Sequence, residues 1–226
     1  MSTRGRQHSR RRALVTFLIA AIVVVAWWWL TTGSSTRAQA DAVSASAEST
    51  LPAPTGASEV REVHSPKTVA DDLPLAAGQC HVRVVDAAAG LTLPDRACTP
   101  GAVDPAVTQD NLDQTICTSG YTTTVRPSSS NTGKFKKESL SDYGLPADKT
   151  TEYDHLVSLQ LGGSNAVSNL WPEPNKASAT GTTNPKDAVE NRLHKAICAR
   201  EVTLVAAQQA IATDWTTAEQ VLGIAK

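Results

Sequence analysis

The apolar positions of the chain begin with one long block near its start. Residues 13–30 are apolar except for Thr16. At about 1.5 Å per residue, this block is just long enough to cross the roughly 30 Å core of a bilayer. Five arginines and no acidic residue precede it. The positive-inside rule therefore predicts a cytoplasmic basic tail over residues 1–12, a single-pass membrane anchor over 13–30, and the remainder of the chain outside the cytoplasm.

The same block could instead belong to a removable signal segment. The tripeptide Ala38-Gln39-Ala40 follows it and has the small-residue pattern of a cleavage site. Cleavage near Ala40 would give a secreted protein. Both alternatives predict that the chain beyond this point is exported.

Two regions of different composition follow. Residues 31–65 are rich in Ser, Ala, Thr and Pro and show no apolar periodicity, which predicts a disordered linker. Residues 66–226 carry periodic apolar positions and have the length of one small domain.

Short runs of β-formers within that domain predict strands. The runs cover residues 81–85, 121–125, 153–161 and 169–171. Arg126-Pro127 ends the second run, and Gly162-Gly163 closes the third in a turn. Residues 128–134 are expected to form a loop, and residues 138–143 one or two helical turns.

The clearest helix signal follows these strands. Asn184 is a suitable N-cap, Pro185 suits the first helical position, and Asp187 places an acid near the positive end of the helix dipole. Thr203 is expected to cap a final helix. The order of elements predicts an α+β domain whose core, residues 150–198, consists of two strands followed by a helix.

Charge limits the classes of partner. The chain has 21 basic and 22 acidic residues. Because five of the basic residues lie in the cytoplasmic tail, 16 basic residues face 22 acidic ones beyond it, a net charge of −6. This is not the composition of a basic nucleic-acid coat, so an anionic substrate would need a local basic patch or a metal ion.

The pair Asp154-His155 carries the most specific chemistry. A histidine with a pKa near neutrality can remove a proton from water. A neighbouring carboxylate on the same strand points to the other face and can hold a divalent cation, for which Mg²⁺ prefers oxygen ligands. Asn169 could hydrogen-bond the imidazole and fix its tautomer.

This part of the chain resembles the HNH endonucleases. The resemblance lies in the Asp154-His155 pair, the Gly162-Gly163 turn, and Asn169-Leu170, in which Asn169 comes 14 residues after His155. Asn-Leu-Trp-Pro and the helix that follows are similar to exported or membrane-anchored bacterial proteins with HNH-like domains. The resemblance implies a ββα-metal fold with one divalent ion, Mg²⁺ or alternatively Mn²⁺. It implies that His155 is the general base, Asn169 the residue that orients it, and Asp154 a metal ligand.

The remaining site residues are chosen by position. Asn191 is predicted as the second metal ligand, because it lies on a polar flank of the helix, and Asn175, Asp187 and His194 are alternatives. Candidates for contacts with phosphate are Arg126, Lys136, Lys137 and Lys186. The zinc-binding cysteine pair of many HNH domains is missing from the sequence.

The four cysteines all lie beyond the anchor, where an oxidising compartment favours disulfides. Four cysteines allow three pairings. We favour Cys117 with Cys198, which bracket the nuclease-like segment, and hence Cys80 with Cys98.

Together these features predict an exported, metal-dependent endonuclease that acts on nucleic acid, with DNA favoured. Its expected partners are nucleic acid and, through the N-terminal helix, the membrane; no protein partner is predicted. The alternative is a catalytically inactive HNH-like envelope protein that binds a polymer or a protein.

Overall fold

A computed structural model describes residues 60–224, which belong to one compact unit. The strands are β1 (Arg61–Glu62), β2 (Arg83–Asp86), β3 (Leu91–Leu93), β4 (Ala102–Val103), β5 (Glu152–His155) and β6 (Leu170–Glu173). The helices are α1 (Tyr121–Val125), α2 (Ser129–Asp142), α3 (Pro185–Cys198), α4 (Leu204–Asp214) and α5 (Ala218–Val221). Three 3₁₀ helices cover Gln109–Gln114, Leu159–Leu161 and Val167–Asn169. This mixture of helices and few strands agrees with the predicted α+β class.

The predicted tail and membrane segment lie outside the described residues, as does the linker up to residue 59. Within residues 60–224, no helix has the length and apolar character needed to span a membrane. The linker prediction is wrong for residues 60–65. Strand β1 pairs in parallel with β4, and Val63 donates from its backbone N–H to the Val103 carbonyl at 2.9 Å.

The described strands pair two by two. Strands β2 and β3 form an antiparallel pair with an irregularity between Val84 and Asp86. Strands β5 and β6 form the antiparallel hairpin expected from the sequence, with Asp154 opposite Trp171 and His155 opposite Leu170. Helix α2 packs against β6. The hairpin is the part of the fold that positions the candidate site.

A long connection joins the two hairpin strands, and two glycines shape its turn. Gly162 has a φ of +76°, a backbone conformation that residues with a Cβ rarely adopt. A Cβ at Gly163 would lie 1.7 Å from the Val157 carbonyl oxygen, so the backbones approach too closely for any other residue. The strand predicted over residues 153–161 ends at His155 in the structure. Residues 159–161 form a 3₁₀ turn that leads into the two glycines.

Helix α3 is confirmed with the predicted start. The Asn184 side chain accepts a hydrogen bond from the Lys186 N–H at 2.8 Å, and the Asp187 carboxylate accepts one from the Asn184 N–H at 3.1 Å. The Asn184 side chain also accepts from the Asp187 backbone, which completes a capping box, with Pro185 at the first helical position. Helix α4 begins after Thr203 as predicted, and the Thr203 side chain accepts a bond from the Ala206 N–H.

Two local predictions are wrong. Residues 121–125 form the short helix α1 and not a strand, although the segment consists of β-formers. The surroundings of this segment override its preference for a strand. Gly120, with a positive φ, precedes the helix, and the disulfide-bonded Cys117 and the buried Pro127 hold the chain on either side of it. Residues 129–134 belong to α2, for which Ser128 is the N-cap.

The main core lies between the hairpin and the C-terminal helices. Its largest buried side chains include Trp171 of β6 and Trp215 after α4, with aliphatic residues of α3 and α4 between them. The Trp215 indole N–H donates to the Thr92 carbonyl oxygen at 2.7 Å, so β3 is tied to the same core.

The favoured disulfide pairing is confirmed. Cys80 is bonded to Cys98, 18 residues away, and Cys117 to Cys198, 81 residues away. The second bond joins the end of α3 to the segment before α1. It therefore closes a loop that contains the whole hairpin.

We expect the Cys117–Cys198 bond to contribute more stability than the Cys80–Cys98 bond, because it closes the longer loop. The chain-entropy relation gives about 4.5 kcal/mol for the long loop and about 3 kcal/mol for the short one. Urea unfolding of a Cys117→Ser/Cys198→Ser protein against a Cys80→Ser/Cys98→Ser protein measures the difference. An unchanged free energy of unfolding in the first variant would contradict the expectation.

Candidate active site

One face of the β5–β6 hairpin carries carboxylates, and helix α3 adds another. Glu152 and Asp154 alternate along β5, and the register places Glu173 of β6 directly opposite Glu152. Helix α3 contributes Lys186 in its first turn and Glu190 one turn later. We call Glu152, Asp154, Glu173 and Glu190 the acidic cluster.

Lys186 connects the hairpin to the helix at the centre of this cluster. Its side chain is only 1% exposed, and its Nζ lies 2.6 Å from Asp154 Oδ2 and 2.7 Å from the His155 carbonyl oxygen. The same Nζ donates to Glu190 Oε1. Burial alone would lower the pKa of this amine, but the carboxylates of Asp154 and Glu190 outweigh it and raise the pKa, so Lys186 is charged.

Glu173 lies in the same cluster beside Asp154. It is 1% exposed and receives no hydrogen bond from an N–H or hydroxyl donor of the described residues, but its carboxyl group lies within hydrogen-bond reach of the Asp154 carboxylate. Burial, with the neighbouring Asp154 carboxylate, raises its pKa well above the usual value. Glu173 therefore favours its protonated form more strongly than an exposed glutamate does. Asp154 behaves differently, because the Lys186 ammonium overcomes the effect of burial and lowers the pKa of Asp154.

Glu152 lies at the edge of the cluster. The Asn184 amide donates to its Oε2 at 3.4 Å. Burial and the nearby Asp154 carboxylate raise the pKa of Glu152 to about 7. The cluster thus holds more carboxyl groups than one ammonium can neutralise, and it keeps some of them protonated.

The His155 ring points to the opposite face of β5 from Asp154, and an amide fixes its tautomer. Its Nε2 lies 2.9 Å from Asn165 Oδ1. The Asn165 Nδ2 donates to the carbonyls of Ser65 and Val125 at 2.6 Å and 3.0 Å, so its Oδ1 must face the ring. A carboxamide oxygen only accepts, and Nε2 therefore carries the hydrogen. Nδ1 is left unprotonated, with no partner among the described residues.

The electrostatic surroundings of His155 keep it neutral. The residue is 7% exposed, and burial lowers its pKa to about 4. The positive charge of Arg126 contributes to the same shift, and Val125, the residue before it, accepts a hydrogen bond from the Asn165 amide that holds the ring. At pH 7 the imidazole therefore presents an unprotonated Nδ1, as a general base requires.

His155 should make the domain less stable in acid. Its folded pKa of about 4 lies below the unfolded value of 6.5. As the pH falls from 6.5 towards 4, the unfolded chain binds a proton that the folded chain refuses, so stability is lost. The loss approaches about 1.4 kcal/mol per pH unit.

In a His155→Asn variant, the free energy of unfolding should fall less steeply with decreasing pH, because the contribution of His155 is gone. Urea unfolding with chelator at several pH values between 4 and 7 measures it. His81→Asn, at an exposed position, is the matched control and should leave the slope unchanged. Equal slopes in the wild type and His155→Asn would contradict the assignment.

The predicted role of Asn169 is corrected by its hydrogen bonds. Its Oδ1 accepts from the N–H groups of Ala102 and Val157, and its Nδ2 donates to the carbonyls of Val157 and Ser164, all within 3.2 Å. No capacity is left for the imidazole. Asn169 instead fastens the connection between β5 and β6, and Asn165 is the residue that orients His155.

The predicted helix ligand is also corrected. Asn191 is exposed on the outer side of α3, whereas Lys186 and Glu190 face the hairpin. Asp187 is engaged in the capping box. Asn175 donates to three carbonyls of residues 181–183 and closes that loop. Of the carboxylates on α3, Glu190 is the one that shares the Lys186 ammonium with Asp154 of the hairpin.

His194 belongs to a second location. Its Nε2 donates to the Ile116 carbonyl at 2.8 Å and lies 3.5 Å from Cys198 Sγ. Ligand atoms of Cys117, His194 and Cys198 lie within 4.8 Å of one another, so this group could bind a metal ion. The two sulfurs are joined in a disulfide, and they would become thiolate ligands only after reduction.

The predicted phosphate contacts divide into two kinds. Arg126 is exposed and lines a cleft of about 430 Å³ with Lys67 and Ser128. Lys137 is exposed as well. Lys136 donates to the Thr151 carbonyl at 2.8 Å, and Lys186 is buried in the acidic cluster. Arg126 is therefore the predicted phosphate contact that is both exposed and part of a cleft.

Comparisons of the chain with protein-family models, curated proteins and solved structures found no match. Roles for these residues must therefore be argued from their own geometry. The sequence did contain two signals for the missed carboxylates. Glu190 follows Lys186 by four residues, the spacing of one helical turn, and Glu173 takes its place once β5 and β6 are paired in register.

Proposed function

We propose that the chain is an exported, metal-dependent endonuclease of the HNH type, which hydrolyses phosphodiester bonds in nucleic acid, with DNA as the favoured substrate. The observation that carries the proposal is the state of His155. It is neutral, its Nε2–H is held by Asn165, and its Nδ1 is unprotonated, on a strand whose other face bears the acidic cluster. This combination supplies a base and a cation site at one strand.

The acidic cluster suits a divalent ion. Carboxylate oxygens are the ligands that Mg²⁺ and Mn²⁺ take in proteins, and Glu173 offers a further buried carboxyl group that receives no N–H donor. Asp154 and Glu190 would hold the ion, with Glu173 beside them. When bound, such an ion stabilises the charge that develops on a phosphate during hydrolysis.

The protein groups have separate roles in this proposal. His155 Nδ1 removes a proton from the attacking water. Asn165 holds the ring so that Nδ1 stays available, and Arg126 meets a phosphate of the bound strand. The negative substrate raises the proton affinity of the buried imidazole, which makes it a stronger base when it is needed.

The proposed location is outside the cytoplasm. Two disulfides among the described residues support it, because such bonds persist in oxidising compartments. The predicted anchor over residues 13–30 would place the domain at the outer side of the membrane.

The direct test is digestion of nucleic acid by the purified full-length protein. Supercoiled plasmid, linear duplex, single-stranded DNA and RNA are each incubated with Mg²⁺ or Mn²⁺. We expect cleavage of at least the DNA substrates, abolished by chelator and restored by added metal. No cleavage of any substrate with either ion would reject the nuclease.

One observation favours the alternative of a catalytically inactive envelope protein that binds a polymer or a protein. Lys186 already neutralises part of the acidic cluster, so the fold does not depend on a metal ion. That alternative predicts retention of nucleic acid or another polymer without cleavage, both with metal and with chelator. The same digestion, followed by a gel-shift measurement, separates the two functions.

A further inference from the structure

The acidic cluster contains a buried cation that the proposed mechanism does not use. Lys186 is 1% exposed on its side chain and lies between carboxylates of two different elements, Asp154 of β5 and Glu190 of α3. A charge so far from water is stable only because these partners surround it. Its position is therefore a property of the cluster and not of a solvated surface.

The hydrogen bonds of this ammonium are fully used. An ammonium has three N–H donors, and those of Lys186 serve Asp154, Glu190 and the His155 carbonyl. None is left for Glu173, a buried carboxyl group that lies beside Asp154 and receives no N–H donor. Lys186 therefore neutralises Asp154 and Glu190 and leaves Glu173 to share a proton with its neighbour, whereas a divalent ion with about six ligands could draw on a further carboxylate.

We propose that Lys186 is an internal counter-cation, which a divalent metal ion must displace in order to bind Asp154 and Glu190. The inference rests on the metal site of the proposed function. Two cations cannot occupy the space between the same two carboxylates, so binding of the ion and departure of the ammonium are one event. Without metal, Lys186 holds the helix to the hairpin; with metal, the ion does so.

The position of Lys186 in the chain allows this exchange. It lies in the first turn of α3, next to the loop of residues 176–183, whose side chains are mostly exposed. The exchange has an energetic consequence, because the ion must compete with a paired ammonium. Metal affinity is therefore weaker than the carboxylate set alone would give.

Chemical labelling of the unaltered protein tests the displacement directly. The full-length protein is acylated with acetic anhydride, with chelator or with saturating Mn²⁺, and the modified lysines are identified by mass spectrometry. We expect Lys186 to be protected with chelator and to become at least about tenfold more reactive with Mn²⁺. Lys136, which bonds a backbone carbonyl outside the cluster, is the internal control and should react equally in both. Continued protection of Lys186 at saturating Mn²⁺ would overturn the proposal.

A variant gives an independent measure. Lys186→Met keeps the length of the side chain and removes its charge, and Lys136→Met is the matched control. If Lys186 competes with the ion, the first variant binds Mn²⁺ about tenfold more tightly by calorimetry, and the second binds as the wild type does. Unchanged or weaker binding by Lys186→Met would reject competition. Because these readouts do not involve cleavage, failure of the plasmid assay with intact Mn²⁺ binding would reject the nuclease alone.

Discussion

A His155→Ala protein is expected to cleave nucleic acid about a thousandfold more slowly than the parent, because it lacks the proposed base, which would remove a proton from water. The structure supports so large an effect, since Nδ1 is the free ring nitrogen and burial keeps the imidazole neutral. Initial rates on a fluorescent duplex oligonucleotide at saturating Mg²⁺ measure it.

The control must separate chemistry from folding, since His155 is buried. The melting temperature of each protein is recorded under the assay conditions, and His81→Ala, at an exposed position, serves as the matched variant. Both variants should be folded at the assay temperature, and only His155→Ala should be inactive. Cleavage by folded His155→Ala at the parent rate would exclude the proposed base.

The second large effect concerns stability. Asn169→Ala is expected to lower the free energy of unfolding by about 4 kcal/mol, because four buried backbone groups lose their partner at once. For a domain of this size, the melting temperature should fall by about 10 °C or more. Thermal unfolding followed by circular dichroism provides the measurement.

Asn191→Ala is the control for this prediction. Asn191 is exposed, so its replacement should change stability by less than about 0.5 kcal/mol and leave metal binding intact. Loss of Mn²⁺ binding in Asn191→Ala would show that the outer face of α3 holds the ion. A stable Asn169→Ala protein with an altered pH–rate profile would instead return Asn169 to the role of orienting His155.

The sequence predicted the features that depend on local chemistry. The start of α3 follows from Asn184, Pro185 and Asp187, because caps act within a few residues. The hairpin follows from two apolar runs and a Gly-Gly turn. The disulfide pairing also agreed, although it was favoured only because Cys117 and Cys198 bracket one segment.

Features that depend on distant contacts were not predictable in the same way. Asn165 and Asn169 lie in the same connection, and either could have oriented His155. Asn165 has this role because the distant carbonyls of Ser65 and Val125 accept from its Nδ2 and turn its Oδ1 towards the ring. The acidic cluster arises from strand register and from one turn of α3. Helix α1 forms against the propensity of its residues, because its ends are fixed by the surrounding fold.

The Cys117–Cys198 bond also bears on when the protein becomes able to act. Helix α3 carries Glu190, and this bond crosslinks the C-terminal end of the helix to the segment before α1. A newly made chain in a reducing cytoplasm lacks the crosslink and the stability that it adds. For the nuclease proposed above, this ordering would make the domain more stable after export than in the cytoplasm, where the genome of the producing cell lies.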